Sequence, residues 1–440
     1  MVLVAMLVAP ASASAKTYTV NRTGDPAPGA CTKIHCTLRE AVIAANATPT
    51  VDDLVLLEGG KRYEMTRNLT DNEAQGGDLD ILDRVEIRSD SSALATVDIN
   101  ELDRVFHLVN SAAPTQPGLD LKRVRVTGGS RGGLSPAGDG GGINVTHGAL
   151  TLFNSRVSAN AAAAKGGGIF IAGTASPFAF LVDGSTVSGN SAFDGGGGLY
   201  TERGGTVLDS TISGNSGGGL GGGGISYADA AALNSLTIDS STVSGNETTS
   251  NLANQGRGGG LLAKGTGNVN VRVSTFAGNE SQNGGAVVIA DPSAQMSIYD
   301  STIARNDADP DGGDSAGAQS GGLVVGAGNF AIRNSILANN TYATPDVARD
   351  CFYSSGTFQS FGTDPNVVAA PGTCAAEFVS DSLIFAPAKL DTLASNGGPT
   401  KTIAIKKTSP ARNAAGPNAS LRDQRGVNRG DNPDIGAYER

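Results

Sequence analysis

The chain of 440 residues carries 62 glycines, no tryptophan, and 42 acidic against 32 basic residues, a formal charge of −10. Such an acidic balance repels phosphate backbones and anionic lipid, which argues against nucleic-acid and membrane-surface partners. The length could hold two or three globular domains, but the repetition described below needs only one elongated domain.

Residues 1–15, MVLVAMLVAPASASA, form an apolar run closed by the small-residue pattern Ala13-Ser14-Ala15. That pattern reads as a secretory signal peptide, too short for a membrane span. Four cysteines lie as one pair near each end, and in an exported chain Cys31 with Cys36 and Cys351 with Cys374 are expected as disulfides. His35, His107 and His147 have no ligand-like spacing to these cysteines, which weakens a zinc reading.

Between Cys36 and Ala47 the apolar period changes. Thr37 and Glu40 make a T-x-x-E capping box, and Leu38, Ala41, Val42 and Ala45 fall on one helical face. A lone amphipathic helix ahead of a solenoid is expected to cover the open apolar end of its first coil. The segment CTLREAVIAANA, preceded by TYTVN, resembles the CSLREA domain of exported bacterial β-helix proteins, with Thr37 where that motif has Ser. We therefore delimit a signal peptide at 1–15 and a CSLREA-like cap at 16–50.

Residues 51–340 are read as parallel β-helix repeats. The runs VDDLVLL, DLDILDRVEIRSD and ATVDIN are irregular early coils, and LDLKRVRVTGG matches the later repeat with Gly129 in place of its final Asn. From Gly140 the same ending recurs at Asn160, Asn190, Asn215, Asn246, Asn279, Asn306 and Asn340, each with an apolar residue three positions earlier. Self-similarity at this period marks a solenoid. Three alternating runs per copy, as Ile143/Val145, Leu150/Leu152 and Val157, predict a triangular coil of strands paired in parallel. The recurring Asn is expected at a corner, tolerating a left-handed conformation and bonding to the coils above and below.

Outward positions carry any chemistry. On the strand ending in Asn they are Ser, Thr, Ala, Arg156 and Ile336, with no carboxylate. On the middle strand, seven residues before each Asn, stand Phe153, Asp183, Leu208, Asp239, Arg272, Tyr299 and Arg333. Asp183 and Asp239, two coils or roughly 9.6 Å apart, are the candidate catalytic carboxylates of a glycosidase. A surface pair between Asp239 and Arg272 is the simpler reading of the same residues. The strand after the glycine corner presents Asn144, Phe170, Tyr200, Ser226, Leu262, Val288 and Val324, a mostly apolar column that an insert or a partner must cover.

For metal, Glu247, Glu280 and Asp307 directly follow the ladder Asn in three successive coils. The insert DADPDGGD adds Asp309, Asp311 and Asp314 in a D-x-D-x-D-G opening that suits Ca²⁺, although Ala318 stands where a calcium loop has its bidentate Glu. An acidic loop splayed into water is the competing reading.

After Asn340, the motifs NGGPTKTIAI, SPARNAAG and DQRGVNRGDNPDIGAYE resemble the choice-of-anchor Q domain of secreted β-helix proteins, assigned here to 341–440. The two resemblances imply a secreted protein with a right-handed parallel β-helix, a helical N-terminal cap and a β-rich C-terminal cap, without an evident covalent anchor. The expected function is non-catalytic presentation of a repetitive surface to extracellular polysaccharide or a cell-surface protein. The alternative is a polysaccharide lyase or glycoside hydrolase, and fold alone does not decide.

Overall fold

The computed structural model describes residues 14–48, 51–68, 73–109, 116–173, 178–231, 234–249, 257–282, 284–308, 320–342, 347–379 and 382–440. Most of the expected signal peptide, residues 1–13, lies outside them. The chain is an all-β parallel solenoid. Its longest sheet stacks twelve strands from Thr17–Thr19 through Ala149–Phe153 to Thr357–Ser360, so at roughly 4.8 Å per step the rod is about 53 Å long. A second sheet of twelve, here the ladder sheet, runs from Arg62–Glu64 through Arg156–Ser158 to Leu383–Ile384. The third, ten strands, runs from Leu79–Ile81 to Cys351–Tyr353.

The triangular coil needs one correction, because a fourth sheet of nine very short strands, Ser130–Arg131 to Val347–Ala348, follows the ladder Asn. Strands of two residues are too brief to leave a period in the sequence. Parallel pairing also runs past Asn340, where the repeats were expected to end, with Cys351–Tyr353, Thr357–Ser360 and Asn366–Val368 completing another coil.

Inward columns make the core. Val157, Val187, Ile212, Val243, Phe276, Ile303 and Leu337 stack in register and are essentially inaccessible. Each such side chain contributes about 1.5–3 kcal/mol through burial. At the corner beyond this column the asparagines form a continuous ladder. Nδ2 of each donates to Oδ1 of the next at 2.9–3.0 Å, from Asn160 down to Asn340 and finally to Asp350. The left-handed conformation sits one residue earlier than expected, on Ala159, Gly189, Gly214, Gly245, Gly278, Arg305 and Asn339. The Asn is therefore free to face the coil axis, where its amide satisfies buried backbone. A parallel serine ladder, Ser155, Ser185, Ser210, Ser241, Ser274, Ser301 and Ser335, links each backbone N–H to the next Oγ.

The helix Leu38–Asn46 covers the N-terminal end, with Leu38, Ala41, Val42 and Ala45 packed into the core beside Val55, Leu57 and Leu79. Its capping box is complete, Glu40 accepting from the Thr37 and Gly29 amides. Arg39 is fully buried, forks onto Asp25 and donates to the carbonyls of Ala74, Gly77 and Asp78. At the other end the turn Gly372–Ala376 and Phe378 close over Phe358. Both expected disulfides, Cys31–Cys36 and Cys351–Cys374, are formed.

The C-terminal segment takes an unexpected place. From Ala388 it lies along the flank of the ladder sheet: Leu390, Ile403, Ile405, Ala411 and Ile435 pack on Ala277, Ala304, Ile336 and Ala338. Gln424 anchors it, donating to Thr242 Oγ1 at 2.9 Å and accepting from Thr275 Oγ1 at 2.6 Å. The reason is chemical: methyls and single hydroxyls on the outward side of those strands leave room for a second layer.

Candidate functional site

Two of the four outer faces are wholly or partly covered. The ladder sheet carries the C-terminal segment over its later coils, and the short fourth sheet is only a rim. The apolar column of the third sheet, Phe170, Tyr200, Leu262, Val288 and Val324, is at most 4% exposed within the chain itself. Phe170 stacks on Tyr200, with Lys165 and Lys264 over the Tyr200 ring. Burial lowers the Lys264 ammonium to about 8, with the like charge of Lys165 adding to the effect.

The long sheet keeps its outer face open. One of its columns is uncharged and mostly polar over six coils, Thr151, Leu181, Thr206, Thr237, Asn270 and Ser297. The next holds Lys122, Phe153, Asp183, Leu208, Asp239, Arg272, Tyr299 and Arg333 in the predicted order. Beside it residues 418–426 of the C-terminal segment stand as a wall, leaving a cleft of about 720 Å³. Asp209, Asp239, Arg272, Arg333, Arg422 and Arg425 line it.

Asp183 and Asp239 are thus on one face, separated by Leu208. The expected Asp239 to Arg272 ion pair is not made: they are register neighbours, but Asp239 Oδ1 accepts from Ser240 Oγ at 3.0 Å and no ion pair joins the two among the described residues. Arg333 lies over the Tyr299 ring at 4.3 Å. Sequence reading missed Asp209, which occupies a left-handed corner at φ 46° just before the serine ladder. Burial first, then the charges of Asp183 and Asp239, raise its carboxyl above the usual range. The signal was present as the Asp, Asn, Gly or Ser that precedes the ladder serine in most copies.

Glu247, Glu280 and Asp307 are register neighbours on the fourth sheet. Burial, and secondarily the other two carboxylates, raise the Glu280 carboxyl. Thr341 Oγ1 donates to Asp307 at 2.9 Å. Asp309, Asp311 and Asp314 lie outside the described residues.

A second cluster, not found from the sequence, sits at the top of the third sheet. Ligand atoms of Asp78, Asp80 and His107 lie within 4.8 Å of one another. His107 Nδ1 is 3.3 Å from Asp80 Oδ1 and 3.8 Å from Asp78 Oδ2, and Arg104 Nε is 3.5 Å from Asp78. Burial, then Asp80 and Asp103, push the Asp78 carboxyl well up; burial pushes the His107 imidazole down, against the pull of Asp80. The spacing of the three residues in sequence hides them, since they meet only through the pairing of Asp80 with His107 on adjacent strands.

Compared with family models and with curated proteins, the sequence gives no match. Among solved structures, the crystal structure of pectate lyase Pel9A superposes with a TM-score of 0.55 at 17% identity, covering 97% of this chain and 97% of that one. This likeness is one of fold. No described helix is long and apolar enough to cross a membrane.

Proposed function

We propose that this chain is an extracellular polysaccharide-binding protein whose ligand is an acidic glycan laid along the outer face of the long sheet. The observation that carries the reading is the cleft where Arg272, Arg333, Arg422 and Arg425 converge beside columns of Thr, Asn and Ser. Guanidinium groups match carboxylates by paired hydrogen bonds, and hydroxyl and amide side chains suit sugar hydroxyls. Two disulfides agree with an oxidising, extracellular setting. The N- and C-terminal motifs, read as CSLREA-like and choice-of-anchor Q-like regions, support the same setting, and the pectate lyase neighbour supports a polysaccharide as partner.

Cleavage is the second reading, favoured by Asp209 and Asp239 beside Arg272 in the same cleft, with the charge of Asp183 also felt at Asp209. A carboxyl with a raised pKa beside ionised ones is the condition for general acid and base work. Titration calorimetry with polygalacturonate and a neutral glucan, joined to assays for reducing ends and unsaturated products, separates the readings. Binding of the acidic polymer without turnover, weakened about tenfold or more in Arg272→Ala with Arg333→Ala, is the expected result. Turnover abolished by Asp183→Asn or Asp239→Asn replaces the non-catalytic reading, and no affinity for any acidic polymer overturns both.

A further inference from the structure

The Asp78, Asp80 and His107 cluster is outside the cleft, on another face of the coil, and its geometry is that of a ligand set. We propose that it is a binding site for one divalent transition metal ion of the Zn²⁺ class, completed by the side-chain oxygen of Asn144.

The donor atoms are already gathered. Three of them lie within 4.8 Å of one another, and a modest contraction brings them to the about 3.3–3.6 Å that separates tetrahedral ligands around one ion at about 2.0–2.2 Å. Nδ1 of His107 faces both carboxylates, at 3.3 and 3.8 Å. Two further observations point to a ligand. Asp80 is fully buried, and His107 Nδ1 stands 3.3 Å from its Oδ1, with no well-formed hydrogen bond to that oxygen among the described residues. Asn144, the register neighbour of His107 on the next strand, is 2% exposed and its Oδ1 is likewise unsatisfied, although its Nδ2 donates to Asp139 O at 3.2 Å. A buried oxygen left without a donor is costly, so two in one column, on either side of His107, need a cation or a donor that the chain does not supply.

The scaffold fixes the set. Ala74 N donates to Asp80 Oδ2 at 3.1 Å, leaving Oδ1 turned to the imidazole. Arg39 of the N-terminal helix holds the carbonyls of Gly77 and Asp78, while Asn46 of the same helix binds Asp80 O and Leu82 N. Three carboxyl side chains, Asp78, Asp80 and Asp103, face two guanidinium groups, Arg104 and Arg131, so the acidic groups outnumber the fixed cations by one. The imidazole decides the metal class, since Ca²⁺ and Mg²⁺ take oxygen ligands whereas nitrogen suits Zn²⁺ and its neighbours. His107, with 16% of its side chain exposed, leaves a narrow way in from solvent. No free thiol exists among the described residues to compete.

The full-length protein, stripped with a chelator and dialysed, is titrated with Zn²⁺ and separately with Ca²⁺ by calorimetry. One Zn²⁺ per chain is expected, with affinity reduced at least a hundredfold in Asp80→Asn and in His107→Gln, and unchanged in His35→Gln. Circular dichroism checks that the variants fold. X-ray absorption on the Zn²⁺-loaded wild type reads the ligands directly, and one imidazole among oxygen donors at about 2.0–2.1 Å is the expected shell. Absence of stoichiometric Zn²⁺ binding, a shell without imidazole, binding indifferent to both ligand variants, or tighter binding of Ca²⁺ than of Zn²⁺ each overturns the assignment. None of these results depends on polysaccharide binding.

Discussion

Replacing Asn246 by Ala removes one rung from the middle of the asparagine ladder. The Asn246 side chain accepts from Asn215 N at 3.1 Å and from Asn215 Nδ2 at 2.9 Å, and donates to Ile212 O at 3.0 Å and Asn279 Oδ1 at 2.9 Å. All of this is inaccessible to solvent. Truncation leaves the Asn215 amide and one of its side-chain protons without partners, whereas Asn279 Oδ1 keeps the Asn246 amide at 3.2 Å. At about 1–3 kcal/mol per orphaned group, with some relief from an admitted water, the expected loss is about 4 kcal/mol. Asn246→Asp keeps the acceptor but turns its other oxygen onto two acceptors, so its carboxyl must rise above the unfolded value. That variant is then most stable below a pH of about 4 and loses stability as pH climbs through its raised pKa. Because a solenoid need not unfold as one unit, urea curves are paired with amide exchange read at Asn215 and its neighbours. A change of less than about 0.5 kcal/mol in Asn246→Ala, with protection of the Asn215 amide intact, would refute the ladder as a source of stability.

Asp350 ends the ladder, and burial raises its carboxyl from 3.8 to about 6 against the bonds it accepts from Asn340 and Ala370. The neutral form is favoured by folding, so its contribution is full below a pH of about 4, is lost as pH rises through 6, and amounts to about 3 kcal/mol. Urea midpoints across that range should fall less steeply in Asp350→Asn, and parallel curves for the two proteins would contradict the shift. For the C-terminal segment, Gln424→Ala deletes contacts to Thr242, Thr275, Thr400 and Lys401. Limited proteolysis should then release fragments beginning near residue 388 while the far-ultraviolet spectrum of the rod persists, and unchanged cleavage would show that the apolar layer alone holds the segment.

The repeat was legible because one residue type recurs where one physical demand recurs. Only a side chain with both donor and acceptor can bridge buried backbone between coils, so the asparagines announced the corner, and the alternation of Val157 with its neighbours announced the strand. The serine ladder stood in the same motif and went unread, since serine is common at any surface corner. The docked segment was written as Thr275, Ala277, Thr302, Ala304 and Ala338, small outward residues that with Ile336 look like a bland face until a second layer covers them. Asp78, Asp80 and His107 had no local pattern at all. Their proximity is a product of strand pairing, and spacing along the chain carries no trace of it.

Occupancy of the surface narrows where recognition can occur. Inward positions are filled by the core and two corners by the ladders. The ladder-sheet face is taken by Leu390, Ile403 and Ile435, and the third-sheet column is closed by its own neighbours. Besides the narrow rim of the fourth sheet and the early coils of the ladder sheet, the long face remains open, and its outward Thr, Asn, Ser, Asp and Arg residues contribute little packing and so are free to vary for contact with a ligand. This separation has a measurable consequence: Arg272→Ala should leave the stability nearly unchanged, within about 0.5 kcal/mol, while glycan affinity falls. Arg333 also rests on Tyr299 with both side chains half-buried, and such an aromatic cation contact is worth about 0.5–2 kcal/mol, which sets the upper limit of the loss in Arg333→Ala. If instead both substitutions destabilise the rod by several kcal/mol, these arginines belong to its architecture and the cleft is not the recognition surface.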